Sequence, residues 1–316
     1  MSLAGMVFGA GSSLTIEGRG QFIDKGETMS RARYTAAFAA AAIAIPLTVA
    51  AGGVAHAAPA PVVKSSVSML GTYTGVQRLG YTSPKGRSVS VIQINQNYNS
   101  FQFVPGTSGP GGYDSAYDKP SKYNTRMTAA FNGGFLMSSN PGGYALRGRV
   151  YTTLRNGYGS LVVDNTGRLK VVKWSSGMHA SSYRVVRQNL KLLVEGRKNM
   201  VGVNYGTGCD DWGVVGNLNA HCPGERSAVG ISSDGIYVTY VYGYRVMPDD
   251  LAKALIHFGA VRGMVLEMNS AWPRAYTFSK PGGSASILNG NMSPIDTPCS
   301  AYRCGYKRDF IVAKNR

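Results

Sequence analysis

The chain has 316 residues, 44% of them hydrophobic and 16% charged, with 33 Lys and Arg against 16 Asp and Glu. That length allows a domain with an ample core, so small-scaffold explanations are excluded. The formal net charge of +17 draws anions to the surface, but no helix-turn-helix, zinc or RNA-binding signature accompanies it, which argues against nucleic acid.

Taken in chain order, the first segment reads as a secretory leader. Residues 30–33 (SRAR) form a basic region, residues 35–49 an apolar run, and Ala55-His56-Ala57 a small-x-small cleavage pattern. The expected product is a secreted, extracellular protein cleaved after Ala57. The apolar run falls short of the ~20 residues a membrane span needs, and no stop-transfer pattern follows. Lys25-Gly26-Glu27 is what a ribosome-binding sequence would give in frame, so Met29 reads as the start and residues 1–28 as an upstream extension. Removing residues 1–57 takes away four basic residues (Arg19, Lys25, Arg31, Arg33) and three acidic ones (Glu17, Asp24, Glu27), leaving +16. Outside a cell, the matching anions are phosphate-bearing glycans, acidic wall polymers and lipid headgroups, the last through peripheral surface contact. A plainer reading is that the charge keeps a secreted protein soluble.

Residues 58–87, rich in Ala, Pro, Ser and Gly, read as a linker. Residues 88–96 (SVSVIQINQ) alternate at period two and predict a strand. Residues 159–174 predict a hairpin turning at Asp164-Asn165-Thr166-Gly167, and residues 226–243 a second turning at Asp234-Gly235. Residues 182–194 fit either a helix or an extended segment. Met247-Pro248-Asp249-Asp250 opens a helix whose apolar face carries Leu251, Leu255, Ile256 and Phe258, with Gly259 as its stop. Residues 264–268 (MVLEM) then predict a short buried strand.

The sum is an α+β fold: a single domain over residues 88–316, with a mixed, largely antiparallel sheet, few helices and long loops. Residues 105–120 and 281–298 are the longest loops, a length more typical of binding or lid segments than of filler. Four cysteines in an exported chain suggest disulfides, with Cys209–Cys222 and Cys299–Cys304 paired by proximity. Zinc would want closer spacing or nearby histidines, though His221 adjoins Cys222. No metal or cofactor is called for.

Three stretches resemble the phosphodiester glycosidase family, which includes the lysosomal enzyme that removes N-acetylglucosamine from phosphate on mannose. They are AAFNGGF at residues 129–135, RSAVGISSDG at 226–235, and the helix followed by GAVRGMVLEMN at 259–269. The resemblance covers about residues 88–312 and is closer to a divergent bacterial secreted branch with a late Arg-Asp-Phe, here Arg308-Asp309-Phe310. It departs from the wider family at Glu267-Met268-Asn269-Ser270-Ala271, where many members read Asp-Gly-Gly-Gly-Ser. It departs again at Tyr242, where many carry Asp.

The resemblance implies a secreted hydrolase that cleaves sugar 1-phosphodiester bonds. Glu267 ends an apolar run and is the first catalytic candidate, its neighbours Val265, Leu266 and Met268 suiting it to proton transfer. The plainer alternative is a carboxylate paired with an arginine to tie down a loop. Asp309 is a second acid or a partner of Arg308 or Lys307. Arg226 and Arg308 are expected to grip phosphate, as guanidinium groups do, or to form structural ion pairs. Asn132-Gly133-Gly134 would bring bare backbone to a ligand or form a turn with positive φ. Asn269 and Ser270 would contact the ligand or cap a turn, and Trp272 would stack on a sugar or fill the core. Asp210, Asp211 and His179 are weaker candidates. The alternative is a non-catalytic secreted binder of anionic cell-surface glycans, with partnership with another secreted protein as a third reading.

Overall fold

The structure is a computed structural model that describes residues 74–107, 109, 119–204, 224–295 and 300–316. The expected leader, Asp210, Asp211, Cys209, Cys222 and Cys299 lie outside the described residues. Neither expected cysteine pair is therefore described.

The chain runs through β1 (Val76–Thr82), β2 (Ser88–Asn95), β3 (Asn99–Val104), β4 (Met127–Asn132), β5 (Tyr144–Leu146), β6 (Arg149–Thr152), β7 (Tyr158–Asp164) and β8 (Leu169–Lys173). It continues through β9 (Tyr183–Glu195), β10 (Lys198–Asn199), β11 (Gly224–Ser232), β12 (Tyr237–Val246), helix α1 (Pro248–His257), β13 (Ala260–Glu267), β14 (Ala275–Phe278), β15 (Ala285–Ile287) and β16 (Phe310–Asn315). The larger sheet has the order β1-β2-β12-β11-β13-β9-β5-β6, with β7 and β10 also on β9 and β8 on β7. The smaller sheet has the order β15-β14-β4-β16-β3. Every strand pairing in both is antiparallel. The fold is the expected α+β type.

Side-chain alternation along each strand builds the layers. In β2, Ile92 and Ile94 enter one core while Val89 and Val91 enter another. In β16, Ile311 and Ala313 join the core of Ile92 and Ile94, while Phe310 and Val312 join a third. The first core mixes Tyr240 and Leu266 of the larger sheet with Phe131 and Ile311 of the smaller, so the two sheets face each other. The opposite face of the larger sheet is covered by Leu251, Leu255 and Phe258 of the α1 segment. The opposite face of the smaller sheet is covered by Tyr123, Ile295 and Tyr302 from connecting segments. The central strands of both sheets are thus buried on both faces, which requires apolar residues on either side of a strand and blurs period-two reading.

Local chemistry sets the ends. The Met247 N–H donates to Asp250 Oδ2 at 2.8 Å, closing the first turn of α1. Gly259 has φ 88°, the left-handed conformation that stops a helix. In the β7–β8 turn, Asp164 Oδ1 accepts from Thr166 N–H at 2.9 Å and Arg168 N–H at 3.0 Å.

One open reading is decided and two expectations change. The segment at 182–194, open between helix and extended, is extended from Tyr183 onward and forms most of the long β9. Within the expected linker, residues 76–82 form β1, which pairs with β2 over its whole length. Arg78 and Gly80 had hidden its alternation. The expected loop at 281–298 contains β15, the edge strand of the smaller sheet.

Candidate functional site

β4 ends at Asn132, β13 ends at Glu267, and Arg308 and Asp309 immediately precede β16. Phe310 lies opposite Asn132 in one sheet, and Ser227 lies opposite Glu267 in the other. Asn132 Nδ2 donates to Ser227 Oγ at 3.2 Å and so ties the two sheets together at this point. Strand register, rather than sequence proximity, assembles the site.

Glu267 is buried, its side chain 5% exposed. It accepts from Arg308 Nη2 at 2.6 Å, from the Met268 N–H at 3.0 Å and from the Asn269 N–H at 3.3 Å. Burial raises its pKa above the ordinary carboxylate range, outweighing the Arg308 charge and the two backbone donors that pull it down. Asp309 turns to another partner and accepts from Arg187 Nε at 2.7 Å. Two adjacent residues therefore anchor two ion pairs of opposite polarity.

Both pairs clamp residues 132–135 (NGGF). Arg308 Nη2 donates to the Gly134 carbonyl at 3.0 Å, and Arg187 Nη2 donates to that of Phe135. The Gly133 N–H donates to the Asp309 carbonyl at 3.0 Å, and the Phe135 N–H to Asn189 Oδ1 at 3.0 Å. A Cβ on Gly133 would lie 2.5 Å from Asp309 Oδ1, and one on Gly134 would lie 2.9 Å from Asn189 Oδ1. Neither glycine has positive φ, so close approach of the clamp, rather than a left-handed turn, demands glycine here. Among the described residues the Gly134 N–H has no acceptor.

Asn132 has no hydrogen bond to spare for a ligand. Its Nδ2 also donates to the Gly133 carbonyl at 2.8 Å, and its Oδ1 accepts from Tyr240 Oη at 2.8 Å and the Arg274 N–H at 3.2 Å. Its side chain is committed to partners within the protein. Asn132→Ala should strand the buried Tyr240 hydroxyl and the Arg274 N–H, costing about 1–3 kcal/mol for each group left unsatisfied. Chemical denaturation of the variant checks this as a lowered midpoint at unchanged slope.

Trp272 is half-buried and stacks on protein cations, with Arg308 Cζ 4.5 Å and Lys307 Nζ 5.1 Å from its ring centre. Among the described residues, only Nη2 of Arg308 has acceptors, leaving its other N–H groups open to a ligand. Arg308 lines three cavities. The first, about 10 Å³, lies among Gly133, Gly134, Glu267, Trp272, Tyr306 and Asp309, with room for about one water. The second, about 90 Å³, also touches Glu267, Asn269, Trp272 and Phe135. The third, about 370 Å³, extends over Phe135, Leu136 and Met137.

Seven of the expected residues thus meet around the first cavity: Asn132, Gly133, Gly134, Glu267, Trp272, Arg308 and Asp309. Arg226 does not. Alternation along β11 sends Ser227 to Asn132 and turns Arg226 away, where its Nε donates to the Val246 carbonyl at 3.1 Å. Burial pushes its guanidinium pKa down to about 10. Asn269 and Ser270 are exposed, and Asn269 Oδ1 caps its own turn by accepting from the Ala271 N–H at 3.0 Å. His179 is exposed and lines none of the three cavities. Among the described residues no cluster of His, Cys, Asp or Glu could hold a metal, and no helix is long and apolar enough to cross a membrane.

Sequence reasoning missed Arg187, Asn189, Ser227, Tyr240 and Arg274. The available signal was the run Arg187-Gln188-Asn189, three polar residues inside an apolar strand, all of them buried. There β9 bulges, and Leu190 takes φ 62°. That conformation is costly for a bulky side chain. Beside this bulge, Asn189 Nδ2 donates to the Val265 and Leu266 carbonyls at 3.0 and 3.2 Å.

Because the folded pKa of Glu267 is raised, its contribution to stability is fully present below the unfolded value, roughly 4.3, and is lost as pH rises through the folded value. Wild type should therefore lose stability relative to Glu267→Gln as pH rises across that window. Paired melting curves from pH 4 to 8 check it, and a difference that does not vary with pH contradicts it.

No family model matches the chain, and no curated protein matches it. Among solved structures it is similar to the catalytic domain of zebrafish N-acetylglucosamine-1-phosphodiester alpha-N-acetylglucosaminidase, auto-inhibited by its pro-peptide. The identity is 14% and the TM-score 0.45, over 76% of this chain and 82% of that one. A hypothetical protein from Synechocystis matches at 11% identity and TM-score 0.46, over 77% of this chain and 62% of that one. At these identities and TM-scores the likeness assigns no function.

Proposed function

We propose that the chain is a secreted hydrolase of the phosphodiester glycosidase type. It would cleave the bond between a sugar's anomeric carbon and phosphate in an extracellular glycan or cell-wall polymer. The observation that supports this most is the Glu267–Arg308 pair in a cavity wall at the NGGF turn. An acid of raised proton affinity sits beside a guanidinium that has N–H groups to offer a phosphate. Ordinary glycosidases use two carboxylates because their leaving group needs a proton. A phosphate leaves readily and needs charge neutralisation instead, so one carboxylate suffices. Water adds to the anomeric carbon, the bond from that carbon to the phosphate oxygen breaks, and a phosphomonoester departs. Arg308 holds the phosphate with Lys307 nearby, and Glu267 handles the water proton. Asp309, bonded to Arg187, positions Arg308 rather than reacting.

The test is incubation of residues 58–316 with sugar 1-phosphodiesters, followed by phosphorus NMR. The expected result is conversion of the diester resonance to a monoester. One observation favours the second reading, a non-catalytic binder of anionic glycans: the ion pair is closed over a cavity of only about 10 Å³. Tight binding that falls steeply with salt, with no turnover on any diester, would establish that reading instead.

A further inference from the structure

The largest cavity adjoining the site is chemically one-sided. Pro105, Phe135, Leu136, Met137 and Tyr144 line much of its about 370 Å³. Leu136 is 46% exposed there, a large apolar side chain left facing solvent. Its polar lining is mostly committed already, since Arg187 and Asp309 bond to each other at 2.7 Å. The remaining charge lies at the site end, where Lys307 and Arg308 also line the cavity. Lys307 is exposed and has no carboxylate partner among the described residues. Arg308, Phe135 and Leu136 also line the about 90 Å³ cavity that reaches Glu267, so the two spaces share a wall.

A hydrophilic alcohol on the phosphate would need hydrogen-bonding groups along such a groove, and binding sites place those groups where their ligands are polar. Away from Lys307 and Arg308, this groove offers Ser138 and few other uncommitted polar side chains among the described residues. Resting on the proposed reaction, we infer that the phosphate carries a long apolar alcohol, making the substrate a lipid-linked sugar phosphate. The phosphate sits at Arg308 and Lys307, and the first part of the chain lies over Phe135, Leu136 and Met137. The volume is at the lower end of the ~300–1,000 Å³ found for ligand pockets, so the groove holds the near end of a chain rather than all of it.

Calorimetric titration of residues 58–316 with inorganic, butyl, octyl and dodecyl phosphate, each below its micelle concentration, tests this. Affinity should rise by up to about fourfold per methylene until the groove is filled. Leu136→Asn should cost dodecyl phosphate more than tenfold in Kd while moving inorganic phosphate, which has no chain, less than twofold, which also reports an intact fold. Equal affinity for all chain lengths overturns the inference. Dodecyltrimethylammonium binding as tightly as dodecyl phosphate also overturns it, by showing an apolar patch indifferent to charge. Comparing methyl and dodecyl diesters of one sugar separates the two claims. Equal kcat/KM for both defeats the lipid inference and leaves the reaction standing. Chain-length-dependent binding without turnover defeats the reaction and leaves the amphiphile site standing.

Discussion

Glu267→Gln should lower kcat on a sugar 1-phosphodiester by about two to four orders of magnitude, the range ascribed to a positioned acid or base, with KM changed little. The amide has nearly the shape of the carboxylate and can still accept from Met268 and Asn269 through its oxygen. What it loses is the proton, the charge and the acceptor of Arg308 Nη2, which Oε2 provides at 2.6 Å. A fall in kcat far larger than any change in KM is the mark of a lost chemical role. Single-turnover kinetics with circular dichroism as a folding control measures it. Turnover within tenfold of wild type would remove Glu267 from the reaction and move the case towards the binder reading.

Arg308→Ala should be the most destabilising single change at the site, by about 3–5 kcal/mol, because it leaves a carboxylate buried without its partner. Glu267 and Arg308 are 5% and 9% exposed at the side chain, so solvent screens the pair little. For a domain of this size that loss corresponds to a fall in Tm on the order of 10 °C. The same change frees the Gly134 carbonyl and removes the cation stacked on Trp272. Replacing both members of the pair with Leu should recover much of the stability, since apolar replacements of buried pairs are often neutral or better. If the single variant melts within 2 °C of wild type, the pair is screened and the site more open than the contacts imply.

Local chemistry was legible in the sequence and long-range geometry was not. The hairpin turns at Asp164 to Gly167 and at Asp234-Gly235 follow from residues that hydrogen-bond their own neighbours. So do the ends of α1. Glu267 stood out because a lone acid ends an apolar run, and the fold class followed from the strand-rich order. The polar run in β9 went unread, because Arg187 finds Asp309 at a separation of 122 residues, and nothing near Arg187 in sequence announces that. Arg226 misled for a related reason. A bulge between Gly224 and Arg226 shifts the register of β11 against β12, so which of Arg226 and Ser227 faces the smaller sheet is decided by pairing rather than composition. β1 was hidden because its edge position lets Arg78 and Gly80 interrupt the pattern.

The guanidinium shared between Glu267 and the open cavities has a thermodynamic corollary. An anion arriving at Arg308 competes for the same cation and adds negative potential beside a carboxyl already reluctant to ionise. Ligand capture should therefore take up protons from the buffer, and affinity should weaken as the solution becomes more alkaline through the titration of Glu267. The anion would in effect load the acid, so that arrival of the phosphate and readiness to transfer a proton become one coupled event.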